Sequence, residues 1–291
     1  IYYGMLPANY VIAPSKIKEL DYPQGDKNIF NHYQGTGGIE LNHLLKKITA
    51  SIYLREPRIL NTGALTNSSR LLINREVRQR IKSLAPFLQV IGEPYLISTN
   101  INDRPLGYDK TQNQYWIVEG YTTSVTYPYA SKLDDDNPIR YIRNSVKAIV
   151  DAYNGSIKLY ISEPSDPIVI AWHKVFPSLF EPIDNLPIEI KEHLRVPIEL
   201  FKVKVQQILR YHVTDYRTFY NGDDVWQVPM ELYGSLELPI EPYHITAQLG
   251  ENAESEFLLL QPLSPLARPN LTAWLAARND GKNYGKLVLL R

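Results

Sequence analysis

Residues 115–162 read YWIVEGYTTSVTYPYASKLDDDNPIRYIRNSVKAIVDAYNGSIKLYIS, and this stretch decides the fold. The dipeptide Asn154-Gly155 stands between two runs in which every second residue is apolar. A two-residue hairpin turn needs positive φ at both central positions, and Asn-Gly adopts that conformation at low cost. The sequence therefore predicts a β-hairpin that turns at Asn154-Gly155.

Closing the hairpin at this dipeptide fixes which residues face each other. Val150 then lies opposite Leu159, and Asp151 lies opposite Lys158 as a cross-strand charge pair. One face of the hairpin is entirely apolar, with the residues Ala148, Val150, Ala152, Ile157, Leu159 and Ile161. A helix over residues 139–153 is the alternative, because its apolar residues also follow helical spacing. The turn, the β-branched residues and the charge pair favour the strand.

Residues 115–118 form a β-rich run that can add a third strand to the hairpin. We therefore predict an α+β fold, in which an antiparallel sheet built on a central meander at about 115–162 is covered by helices. Longer helices are predicted at 41–55, 74–85, 197–213 and 270–280, and the third of them is expected to cover the meander. Short helices are predicted at 166–176 and 214–222. An N-terminal helical lobe at 1–105 and a sheet-containing lobe at 106–291 are expected, with one continuous domain as an equal alternative.

Composition narrows the function classes. The chain has 31 basic and 31 acidic side chains, so no overall field favours nucleic acid. It has no cysteine, which excludes disulfides and thiolate metal sites. No run of 18 apolar residues occurs, and we expect the chain as given to be soluble.

The sequence holds no recognisable catalytic motif. The six histidines do not have metal-ligand spacing, and no Gly-x-Ser-x-Gly elbow is present. The glycine run 35–38 precedes a helix but matches neither phosphate-binding fingerprint, so a plain turn is expected. The acidic run 134–136 lacks the spacing of a calcium loop and is expected to be a solvated turn. We predict no catalytic residue, no metal site and no cofactor, and a non-enzyme is favoured.

Two surfaces are candidates for binding. The loop after residue 121 is rich in hydroxyls and rings and returns through two arginines, which suits a glycan or a peptide. An ordinary polar loop is the alternative. Its candidate residues are Tyr121, Thr123, Ser124, Tyr127, Tyr129, Arg140 and Arg143.

The second surface is basic. Arg75, Arg78 and Lys82 follow helical spacing and are predicted to share one side of a helix that starts at Asn74. Such a patch can meet anionic lipid headgroups, and a solvated helix face is the alternative.

Several long phrases resemble a known family. They include residues 141–155, YIRNSVKAIVDAYNG, and residues 273–278, AWLAAR, followed by NYGKL at 283–287. On these phrases the chain resembles the uncharacterised protein family numbered 0182, over nearly its whole length. The resemblance implies a bacterial multi-pass membrane protein with N-terminal transmembrane helices and a large extracytoplasmic region.

What the resemblance implies is location rather than mechanism. The chain would be an extracytoplasmic fragment of a cell-membrane protein, and its partners would be its own transmembrane domain and possible envelope lipid, glycan or protein. A binding or assembly module is the expected role. A hydrolase acting on cell-envelope polymers is the alternative.

Overall fold

The computed structural model describes residues 1–7, 10–101, 114–132, 137–250, 254–266, 268 and 270–291. The chain forms two compact units. Unit 1 comprises residues 1–120 and 145–187, and unit 2 comprises residues 121–144 and 188–291. The fold class is mixed α and β with several antiparallel sheets.

The helices in chain order are α1 Leu44–Leu54, α2 Arg58–Asn61, α3 Val77–Leu84, α4 Pro167–Val175, α5 Ile188–Lys191, α6 Ile198–Tyr211 and α7 Tyr216–Asn221. The strands are β1 Tyr10–Ala13, β2 Glu19–Gln24, β3 Lys27–Asn31, β4 Ile39–Glu40, β5 Arg70–Ile73, β6 Gln89–Val90, β7 Tyr95–Ser98, β8 Gln114–Ser124, β9 Tyr141–Asp151, β10 Ile157–Ile161, β11 Phe180–Pro182, β12 Trp226–Gln227, β13 Met230–Tyr233, β14 Leu236–Pro239, β15 Tyr243–Ala247, β16 Glu256–Pro265, β17 Ala273–Arg278 and β18 Leu287–Leu290.

The predicted hairpin is present as β9 and β10, and the helical alternative for this stretch is wrong. The two strands lie in a sheet of order β11-β10-β9-β8-β6, with β7 also pairing with β8. The predicted register is wrong by two residues, because Val150 lies opposite Ile157 rather than Leu159. A shift of two keeps every side chain on its predicted face, since strand side chains alternate with period two.

The turn itself explains the shift in register. The Asp151 side chain accepts hydrogen bonds from the backbone N–H groups of Tyr153 at 2.7 Å and Asn154 at 2.9 Å. The Asp151 N–H donates to Ser156 O at 3.0 Å, so the loop between the strands has four residues instead of two. The predicted Asp151–Lys158 pair is therefore absent, and Lys158 Nζ lies 3.3 Å from Glu181 Oε1 on β11.

The core of unit 1 lies against this hairpin. Val77 and Ile81 of α3 and Val169 of α4 pack into one cluster with Val150 and Leu159. Helix α3 begins later than predicted, because Glu76 rather than Asn74 is its N-cap and accepts from the N–H groups of the next turn. Unit 1 also holds the sheet β1-β5-β4, the separate hairpin β2–β3, and helices α1 and α2.

Unit 2 is built on the sheet β12-β16-β17-β18, with β15 pairing with β16. Helix α6 packs here through Phe201 and Val205, so the expectation that it covers the meander is wrong. The helix predicted from residue 270 is also wrong, because 273–278 is strand β17 between β16 and β18. Hairpin β13–β14 is separate from this sheet. Among the described residues, no helix has both the length and the apolar character needed to cross a bilayer.

Candidate functional site

Four described side chains, from the loop between β8 and β9 and from the start of β9, come together or reach the surface. The rings of Tyr127 and Tyr141 stack with centroids 5.3 Å apart and planes 28° apart. The guanidinium of Arg143 lies 5.8 Å from the centre of the Tyr141 ring, within cation–π range. Tyr129 is fully exposed. We call Tyr127, Tyr129, Tyr141 and Arg143 the loop cluster, and all four belong to unit 2.

Hydroxyls and backbone groups fix the base of this loop. The N–H of Arg140 donates to Ser124 O at 2.9 Å, which closes the loop across the two strands. The Arg140 guanidinium donates to Ala130 O. The Thr126 N–H donates to Ser124 Oγ at 3.2 Å. Arg140 and Ser124 therefore shape the loop, and the loop cluster supplies its exposed chemistry.

The backbone at Tyr129 is strained. Its φ is +60°, in the left-handed region that a bulky L-residue seldom adopts. The side chain is fully exposed, so no packing within the described structure repays this conformation. Strained backbone clusters at functional sites, so Tyr129 is a candidate binding residue.

The predicted loop residues divide into three groups by exposure. Tyr127, Tyr129, Arg140 and Arg143 are exposed, whereas Thr123 and Ser124 are half-buried. Tyr121 is buried and belongs to the interior.

Tyr141 was absent from the predicted set. The signal for it was present in the sequence, because residues two apart on a strand share a face, and Tyr141 is two residues from Arg143.

The three predicted membrane-surface cations lie in different environments. Arg75 precedes α3 and its Nε donates to Tyr2 O at 2.6 Å. Arg78 Nε lies 3.0 Å from Glu76 Oε1. Lys82 is exposed on the helix.

The glycine run 35–38 packs against the hairpin turn of β9 and β10. The N–H of Thr36 donates to Asn154 Oδ1, and that of Gly37 donates to the hydroxyl of Tyr33, both at 2.9 Å. A Cβ added at Gly37 would lie 2.1 Å from Asn154 O. These amides are engaged within the protein, so the plain turn is the better description of this run.

Several ionisable side chains have displaced pKa values for structural reasons. Burial, followed by the hydrogen bond to Glu19, raises the pKa of the Tyr2 hydroxyl far above its ordinary value. Burial also raises the pKa of Tyr33. Burial, with a smaller effect of Arg195, lowers the pKa of His244.

The structure shows no described group of three or more His, Asp or Glu side chains that could hold a metal ion. The acidic run 134–136 lies outside the described residues.

Comparison with known proteins assigns a family. The model of the uncharacterised protein family UPF0182 matches residues 1–291. A UPF0182 protein of Prochlorococcus marinus strain MIT 9303 is 65% identical over 291 residues, which cover 100% of this chain and 31% of that protein. A UPF0182 protein of Synechococcus sp. strain CC9311 is 59% identical, again over 100% of this chain and 31% of the relative.

More distant relatives show the same coverage. A UPF0182 protein of Synechococcus elongatus is 45% identical over 289 residues, with 99% of this chain and 30% of the relative covered. The chain thus spans less than a third of the length of these curated relatives. No solved structure matches it. With its whole length matched by the family model, the chain belongs to the uncharacterised protein family UPF0182.

Proposed function

We propose that this chain is an extracytoplasmic binding module of a multi-pass membrane protein, and that its loop cluster binds a carboxylate-bearing glycan of the bacterial envelope. The observation that carries the proposal is the stacked pair Tyr127 and Tyr141 with Arg143 beside it. Family membership supports the membrane-protein part of the proposal, because the resemblance described above implies a multi-pass membrane protein.

The chemistry of the loop cluster suits a sugar ring with an acidic substituent. Tyrosine offers an apolar face to the C–H groups of a sugar and a hydroxyl to its polar groups. A guanidinium pairs well with a carboxylate, because its N–H groups match the two oxygens. The exposed ring of Tyr129 adds a further contact surface.

The basic residues of the α3 region are a smaller part of the proposal. Because Arg75 and Arg78 already have partners, Lys82 is the main contributor to any attraction toward lipid headgroups. We propose a weak, salt-sensitive effect of this surface on orientation. Changing all three residues to Gln tests it by vesicle flotation at low and high salt. The hydrolase alternative has no specific observation in its favour, and we do not propose it.

The test is an array of immobilised envelope polysaccharides that includes peptidoglycan strands, uronic-acid polymers and neutral glucans, together with unrelated peptides. We expect the chain to bind the carboxylate-bearing glycans. If the chain binds only the peptides, its ligand is a peptide and the proposed glycan is wrong. No binding to any surface, or equal binding to neutral glucans, would refute the proposed ligand class.

A further inference from the structure

Helix α1 turns its large apolar side chains toward solvent. Leu44, Leu45 and Ile52 are 68%, 76% and 72% exposed. Ile48 lies between them and is half-buried. Residues at these spacings share one side of a helix. We call this set the α1 face, and its members are Leu44, Leu45, Ile48 and Ile52.

The helix is anchored through a different side. Its buried residues are the small Ala50 and Ser51. The apolar cluster beneath it contains Ala50 with Leu41, Ile59 and Leu71. The local core is therefore formed without the three exposed members of the α1 face, whose exposure costs free energy that a binding partner would recover.

The charges around the α1 face indicate what that partner is. Residues 43–58 carry four basic side chains and one acidic side chain. Arg55 and Arg58 are exposed, and the acidic Glu56 lies 3.7 Å from Arg58. Tyr53 at the end of the helix is 70% exposed. An amphipathic helix that combines exposed leucine and isoleucine with local positive charge is typical of helices that lie on an anionic bilayer.

A second exposed apolar element provides a contrast. Hairpin β13–β14 exposes Leu232 by 74% and Leu236 by 62%. Its ten residues from 230 to 239 carry Glu231 and Glu237 and no basic residue. Both elements thus expose large apolar side chains. Helix α1 combines them with positive charge, whereas the hairpin combines them with negative charge.

We propose that the α1 face, with Arg55 and Arg58, binds the headgroup and upper acyl region of an anionic bilayer. The apolar side chains would enter the interface while the arginines pair with lipid phosphates. The helix has 11 residues, which is far too short to span the hydrocarbon core. In the cell, this role requires the proposed membrane-proximal location and therefore rests on the proposed function. Binding to vesicles itself involves no glycan.

The experiment is flotation of the 291-residue chain with vesicles of phosphatidylcholine alone or with phosphatidylglycerol added. We expect wild type to float with the anionic vesicles and to be released by salt. The double variant Leu45→Ser/Ile52→Ser should lose at least about tenfold in partition coefficient. The variant Arg55→Gln/Arg58→Gln should weaken binding to anionic vesicles only.

The matched control is Leu232→Ser/Leu236→Ser, which removes two leucines of comparable exposure and should bind vesicles as wild type does. Circular dichroism melts verify that each variant is folded. The proposal is overturned if wild type does not float, if the α1 variant floats equally, or if sedimentation shows that the α1 face instead joins two copies of the chain. Loss of vesicle binding with intact glycan binding, or the reverse, separates this proposal from that of the loop cluster.

Discussion

Glu119 of β8 and Lys147 of β9 form a buried ion pair, with Lys147 Nζ 2.6 Å from Glu119 Oε2. The lysine is 3% exposed and the glutamate 8%. Ile149 and Tyr160, on the hairpin face that the sequence predicted to carry charge, are buried as well. Both faces of the hairpin therefore lie in the interior, and a buried charge there requires its partner.

Breaking this pair should be costly. We expect Lys147→Met to lower the free energy of unfolding by about 3–5 kcal/mol, because Glu119 is left charged in the interior. The double variant Lys147→Met/Glu119→Leu should recover most of the loss, since both charges of the pair are then removed. Urea unfolding of wild type, Lys147→Met, Glu119→Leu and the double variant gives the coupling energy. A double variant no more stable than Lys147→Met would contradict this account.

Gly155 should tolerate no side chain. Its φ is +70°, and an added Cβ would lie 2.5 Å from the ring of Tyr3. We expect Gly155→Ala to destabilise the chain by about 2–4 kcal/mol, from backbone strain and overpacking together. Gly234→Ala is the matched control, because Gly234 has φ +67° with nothing within 4 Å of the added Cβ. It should cost only about 1 kcal/mol, and equal losses at the two sites in urea melts would show that the contact with Tyr3 is unimportant.

Sequence patterns predicted the hairpin strands and their faces, because alternation depends only on local geometry. They did not predict the register, since the Asp151 side chain takes over the turn and lengthens it. Residues 273–278 were misread as helix because alanine and leucine have high helix propensity, which burial between two strands overrides.

The candidate site was predicted in part. Hydroxyls and rings in the loop after residue 121 indicated a surface, whereas the stack of Tyr127 on Tyr141 depends on how two strands meet. The exposure of the α1 face could not be predicted from the sequence. Apolar periodicity identifies a stripe of a helix, but it does not show whether that stripe faces inward.

His244 should make the stability of unit 2 depend on pH. Its pKa is lowered below 6.5 mainly by burial, so the unfolded chain binds a proton more readily than the folded chain. The stabilising contribution is complete above pH 6.5 and is lost as the pH falls from there through the folded pKa. His244→Phe keeps the stacking on Phe257, whose ring centre is 4.9 Å away, and removes the titration. We expect urea midpoints to fall less for the variant than for wild type between about pH 7.5 and pH 5. If the urea midpoints of wild type and His244→Phe fall equally with pH, His244 does not contribute to the pH dependence of stability.

Tyr129 should be dispensable for folding and needed for binding. Asparagine tolerates the left-handed conformation better than tyrosine does, so Tyr129→Asn should leave stability unchanged or raise it by up to about 1 kcal/mol. The same variant should bind peptidoglycan strands more weakly, because the exposed ring is lost. Tyr129→Ala removes the ring and keeps the strain, and it should lose binding without gaining stability. Marked destabilisation of Tyr129→Asn would assign the ring a structural role instead.

The central claim is that the loop cluster binds a carboxylate-bearing glycan, and calorimetric titration with soluble peptidoglycan strands tests it most directly. Wild type is compared with Tyr127→Ala and with Tyr220→Ala, which removes another ring of unit 2 that is 88% exposed. We predict that Tyr127→Ala loses about tenfold or more in affinity, through the loss of stacking and buried apolar area, and that Tyr220→Ala binds as wild type does. Equal affinities for wild type and Tyr127→Ala, or no heat of binding for any of the three, would contradict the account.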